Sequence, residues 1–178
     1  MAILSIPDSN IQLTNVVEIR QFLNDRGVYF DQWKCDVVFE DSASQQEILT
    51  AYEKDLKPFM EKGGYLSADV ISINKLTENY EAIRTKFLGE HTHSEDEIRF
   101  FVDGQGIFWF NLEGEPIFNL LCEQGDLISV PTGTKHWFDA GEKNPFVKAI
   151  RIFSNTDAWT PAYTDSKIET KYLDFKVN

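Results

Sequence analysis

Apolar and polar positions along this chain follow two periods, and the change from one to the other comes near residue 90. Before it the period is mostly helical. Over 15–26 the apolar residues Ile19, Phe22 and Leu23 share a face, Asn15 and Glu18 stand at capping-box spacing, and Gly27 is placed to stop the helix. A second helix is predicted from Ser44, with Glu47 three residues on and Ile48, Tyr52, Leu56 and Phe59 at helical spacing as far as Gly63-Gly64. Pro58 should kink or shorten its last turns. A short third helix is expected over 78–88, with Tyr80, Ile83 and Phe87 inward, after a strand over 70–73.

Beyond residue 90 the pattern is that of strands. The runs 98–102, 107–110, 127–130 and 146–153 are rich in β-branched and aromatic residues, and Asp103-Gly104 and Glu113-Gly114 supply turn chemistry between them. Several short strands at such spacing predict an antiparallel sandwich or barrel. No repeat or linker interrupts the 178 residues, a length that closes around one core, so the expectation is one domain over 1–178. It should be mainly β, with helices in its N-terminal region.

Composition sharpens this picture in three places. The 14 Phe, 6 Tyr and 4 Trp call for a large aromatic core, which speaks against disorder. Net charge is −12, a field that repels phosphate backbones and anionic lipid and so argues against nucleic-acid and membrane partners. The start, Met1 to Pro7, does not read as a signal peptide, and no apolar stretch is long enough to cross a bilayer. Cys35 and Cys122 form no Cys-x-x-Cys motif and read as two reduced, buried thiols, so the cytoplasm is the expected compartment.

The chemistry gathers around the three histidines. His91 and His93 lie in His91-Thr92-His93-Ser94-Glu95-Asp96-Glu97, and His136 follows Pro131-Thr132-Gly133-Thr134-Lys135. Imidazoles with a carboxylate suit a divalent first-row metal. On a strand His91, His93, Glu95, Glu97 and Arg99 share one face, whereas a helix would align His93 with Glu97 and turn His91 away. Parity does not choose between Glu95 and Glu97. His136 needs a tertiary partner, and the turn shaped by Pro131 and Gly133 can deliver it from a neighbouring strand. Gly104-Gln105-Gly106 reads as a turn, because the third glycine and following helix of a nucleotide loop are missing.

Two motifs link these residues to the cupin superfamily. Its first motif, His-x-His, three or four residues, Glu, six residues, Gly, is matched by His91, His93, Glu97 and Gly104. Its second is matched by Gly125, Pro131, Gly133 and His136, with Ala140 in place of the usual Asn and Thr85 in place of the Gly expected before the first. Within the superfamily, the stretches 87–102, 127–131 and 136–139, the Cys122-Glu123 approach to the second motif, the strand 149–153 and the nearby Trp159 resemble the acireductone dioxygenase family over nearly the whole chain.

The resemblance implies a cupin fold, a double-stranded β-helix or jelly-roll barrel with flanking N-terminal α-helices. It implies Fe(II) or Ni(II) on His91, His93, Glu97 and His136, and Arg99 as the catalytic residue that stabilises the substrate dianion. Glu90 and Asp96 would support metal incorporation or relay conformational change, and Phe87, Phe138 and Trp159 would wall the substrate pocket. The implied reaction is cleavage by O2 of the acireductone of methionine salvage, in a cytoplasmic monomer. Another metal-dependent cupin, such as a flavonol-type dioxygenase or an isomerase, and a cupin that binds metal or a small ligand without turnover, are the alternatives.

Overall fold

Fourteen consecutive residues, Glu97–Phe110, form one strand, and both sheets of the molecule share it. The computed structural model describes residues 1–40, 42–155 and 160–175. In chain order the strands are β1 (Ile3–Ile6), β2 (Ile11–Leu13), β3 (Tyr29–Gln32), β4 (Ser67–Ile73), β5 (His91–Thr92), β6 (Glu97–Phe110), β7 (Phe118–Glu123), β8 (Asp126–Val130), β9 (His136–Asp139), β10 (Val147–Phe153) and β11 (Ala162–Tyr163). The helices are α1 (Val16–Asn24), α2 (Gln45–Ala51), α3 (Glu53–Gly63) and α4 (Tyr80–Leu88). Every strand pairing is antiparallel.

The first half of β6 lies between β10 and β8, in a sheet ordered β4-β10-β6-β8-β3. Its second half lies between β9 and β7, in a sheet ordered β11-β5-β9-β6-β7-β1-β2. Asp103-Gly104, expected to be a turn, is instead the bend where β6 passes from one sheet to the other. Gly104 takes φ +72°, and a Cβ there would run into the carbonyl oxygen of Phe146. The pairing with β10 shifts register beside it, as a bulge allows. Turn chemistry and bend chemistry look alike in sequence because both need a left-handed residue. Glu113-Gly114 does lie in the connection of a hairpin, between β6 and β7.

Alternate residues of β6 enter different cores, which is why Phe100-Phe101-Val102 and Ile107-Phe108-Trp109-Phe110 read as unbroken apolar runs. Phe101 and Phe108 join Ile128, Phe138 and Ala149 between the sheets. Ile98, Phe100 and Val102 face the other way, where Ile48, Tyr52 and Leu56 of the helical segment cover them with Ile150 and Ile152. Burying both faces removes the need for a polar alternation. On the second sheet Trp109 and Trp137 stack at 5.4 Å and 4° under Tyr172 and Phe175 near the C-terminus.

The helices form where the apolar spacing predicts them, with two differences. The second predicted helix breaks in two at Tyr52 (φ −106°, ψ 8°), while α3 runs through Pro58 to Gly63. Tyr52 is held from outside the helix: its hydroxyl meets Cys35 Sγ at 2.9 Å and its ring packs edge-on against Phe100. Tertiary anchoring, not the proline, sets the break. The N-terminal region carries strands besides its helices, since β1, β2 and β3 extend the sheets there.

Candidate metal centre

The ligand segment is not one strand. β5 ends at Thr92 and β6 begins at Glu97, so His91, His93 and Glu97 reach a common point across a bend at Ser94 and Glu95. His91 is the β-partner of His136, and His136 is the β-partner of Phe110. The turn before β9 is tied to the same segment: the Gly133 N–H and the Thr132 hydroxyl both donate to the His93 carbonyl, at 2.9 and 3.2 Å. These bonds bring residues 43 positions apart to one site. One donor atom each from His91, His93, Glu97 and His136 lies within 4.8 Å of all the others.

Each imidazole is oriented from behind by a backbone carbonyl. Nδ1 of His91 stands 2.6 Å from the Gly89 oxygen, Nδ1 of His136 stands 2.8 Å from that of Thr134, and Nδ1 of His93 stands 3.4 Å from that of Thr160. This arrangement leaves Nε2 of His93 and His136 at 3.0 and 2.9 Å from the same Glu97 oxygen. Two donors about 2.1 Å from one ion and at right angles stand about 3 Å apart, so the spacing suits a first-row divalent ion. A ring nitrogen fixed by a carbonyl and a second one aimed at a shared centre is how metal-binding histidines are held.

Electrostatics favour the protonation states that a metal needs. Burial, with His136 beside it, pushes His91 down to about 4, so its imidazole is neutral at physiological pH. Burial would raise Glu97, but the Arg99 guanidinium and the hydrogen bonds from His136 and His93 together hold its carboxyl well below the usual carboxylate range. Burial lowers Arg99 and the Glu97 charge opposes that shift. A guanidinium remains charged through such changes. Arg99 Nη2 is 2.6 Å from the second Glu97 oxygen, and its guanidinium carbon lies 4.5 Å from the Phe138 ring centroid and 5.6 Å from that of Phe87.

A pocket of about 270 Å³ opens onto these groups. His91, His93, Glu97 and Arg99 form its floor, with Phe87, Phe138 and Pro161 as apolar wall and Lys86 and Arg151 as further cations. Phe87 and Phe138 stand edge to face at 6.1 Å and line the pocket, two of the three residues expected as its wall. Trp159 lies outside the described residues.

Glu90 and Asp96 are beside the centre and not in it. Glu90 accepts from Asn111 at 2.6 Å and Ser166 at 2.8 Å and pairs with Thr164, tying the C-terminal segment to β5. Asp96 accepts from the Thr132 N–H at 2.9 Å and from the Tyr65 hydroxyl at 3.4 Å. Glu95 turns away to Asn155. Strand parity would have kept Glu95 with the ligands; the bend at Ser94 and Glu95 removes it.

Arg151 and Lys86 were not singled out from sequence. The signal for Arg151 was present, since it alternates with Val147 and Ala149 toward the inner face of β10 and sits opposite Arg99. Lys86 has no such signal, because only the packing of α4 on β9, through Arg84 to Asp139 at 2.9 Å, brings it to the pocket.

Comparison with known proteins agrees with this geometry. The ARD/ARD' family model matches residues 8–161. An acireductone dioxygenase of Picosynechococcus is 57% identical over 172 residues, covering 97% of each chain, and one of Cronobacter sakazakii is 45% identical over 90% of this chain and 88% of its own. The solved structure of an acireductone dioxygenase from Bacillus anthracis, with a cadmium ion in its active centre, superposes with a TM-score of 0.83 at 33% identity, covering 92% of this chain and 98% of its own. A cupin barrel in which three imidazoles and a carboxylate converge beside the pocket, matched along nearly its whole length, belongs to the ARD/ARD' family.

Proposed function

We propose that the chain is an acireductone dioxygenase of methionine salvage, with one Fe(II) or Ni(II) per chain held by His91, His93, Glu97 and His136. The observation that carries this reading is the set of carbonyl-anchored imidazoles converging on Glu97, beside a buried Arg99, in a chain of this family. The substrate is 1,2-dihydroxy-5-(methylthio)pent-1-en-3-one, with O2 as the second reactant. When bound by these four residues, the ion would supply Lewis acidity toward the enediol.

The chain's own residues do the rest. Arg99, fixed between Glu97 and the aromatic faces, places a permanent positive charge where the enediol loses its protons and lowers the cost of the dianion. Phe87 and Phe138 give the thioether tail an apolar wall that excludes water. Glu90 holds the strand that carries His91 and locks the C-terminal segment against it, while Asp96 links the His93 segment to the turn that precedes His136. Their part is to set ligand geometry when metal enters.

The enzyme is read as a cytoplasmic monomer without nucleic-acid or membrane partners. The net charge of −12 opposes binding to phosphate backbones and anionic lipid; no helix among the described residues is long and apolar enough to cross a membrane. The test is to reconstitute metal-free protein separately with Fe(II) and Ni(II), supply acireductone and O2, and follow enediol loss and products. Fe(II) should give 4-methylthio-2-oxobutanoate and formate, and Ni(II) should give 3-methylthiopropanoate, formate and carbon monoxide. No consumption above a metal-only control rejects the reading.

A further inference from the structure

The pocket's three cations differ in how far their charge is already answered. Arg99 is paired with Glu97 at 2.6 Å, and Arg151 makes two bonds to Asp69 at 2.8 and 2.5 Å. Lys86, exposed in the last turn of α4, lines the same pocket and has no carboxylate partner among the described residues. Its backbone is held in place, since its carbonyl accepts from the Tyr163 hydroxyl at 3.1 Å and the next residue, Phe87, packs on Phe138.

A lysine in a last helical turn has an ordinary explanation, the favourable interaction of a cation with the helix C-terminus. That explanation does not account for its place on a pocket wall. The molecule carries 17 basic against 29 acidic residues, and this field repels an anion approaching from solvent. An ionised enediol is such an anion. We propose that Lys86 is the residue that admits anionic ligands to this pocket, offsetting the repulsion of the whole molecule and passing a small chelating dianion to the floor. The inference rests on the enediolate reading of the site, and it gives Lys86 a part in anion entry separate from the charge that Arg99 holds at the floor.

Two arms test it, one without turnover. In the first, oxalate, a small dianion that chelates metals, is titrated by calorimetry into Ni(II)-loaded wild type, Lys86→Met and Lys86→Arg at several salt concentrations. Lys86→Met should weaken binding by about threefold to tenfold at low salt and flatten its salt dependence, and Lys86→Arg should restore both. In the second, kcat/KM for acireductone should fall by a similar factor in Lys86→Met, with the loss concentrated in KM. A purely helix-stabilising lysine would shift thermal stability and leave the salt slopes alike. Equal oxalate affinities and equal slopes in wild type and Lys86→Met overturn the inference, even if acireductone is consumed normally. Absence of acireductone turnover in wild type counts instead against the enzymatic reading, and the oxalate arm still decides the role of Lys86.

Discussion

Glu97 ties the ligand set to Arg99: one of its oxygens faces Nε2 of His93 and His136, and the other faces Arg99. Removing a neighbour therefore does more than delete a contact. His136→Ala takes away a donor that the turn at 131–134 exists to place, and metal retained after gel filtration should weaken by more than about 100-fold, beyond the loss typical of an outer partner. Arg99→Ala leaves the four donors in place, so metal content should persist while kcat falls by about 100-fold or more. A variant that lost metal and activity together would make Arg99 a support for Glu97 and not a partner of the substrate. The ligand residues themselves were legible in sequence, because imidazoles are few and their motif spacing is local. Which carboxylate accompanies them was not legible from strand parity, since the bend at Ser94 and Glu95 breaks the alternation; the motif chose Glu97.

At the scale of elements, β6 is the part on which the site depends, because Glu97 and Arg99 stand on one half of it while the other half pairs with the strand carrying His136 and Phe138. The bend at Gly104 sets the angle between those halves. Gly104→Ala must accommodate both a left-handed φ and a collision with the Phe146 carbonyl, so unfolding by urea should show a loss of at least about 2 kcal/mol. Unchanged stability would mean that the bend is not required. Long amphipathic segments such as α1, and strands with a β-rich run such as β10, could be read directly, because their signal is carried over several residues. The two to four residues of β1, β2, β5 and β11 could not, because so short a strand is defined by its neighbour and not by its own sequence. The break at Tyr52 escaped for the same reason: Cys35 and Phe100, distant in sequence, produce it.

For the molecule as a whole, stability should vary with pH through Asp126, which is fully buried at the start of β8. Burial pushes its carboxyl up to about 6 from an ordinary 3.8, against hydrogen bonding from Gln32 and the nearby N-terminus. Below about pH 4 both folded and unfolded chains hold this proton and it has no effect on stability. Between there and about pH 6 the unfolded chain releases the proton while the folded one keeps it, so stability falls as pH rises, by about 3 kcal/mol in total. Asp126→Asn can still accept from the Glu123 N–H and bond to Gln32, and it should be the more stable protein at pH 7 but not at pH 4. Urea unfolding at the two pH values measures this, and an advantage that stays constant across them would show that Asp126 does not titrate as its burial requires. The central claim is that one divalent ion, held by His91, His93, Glu97 and His136, carries the oxidation of acireductone. Its most direct test is the rate of enediol loss under O2 as Fe(II) is added stepwise to metal-free protein, for wild type and His136→Ala side by side. The rate should rise to a plateau at one equivalent per chain for wild type and stay at the metal-only control for His136→Ala; equal rates for the two proteins, or full activity before metal is added, would contradict it.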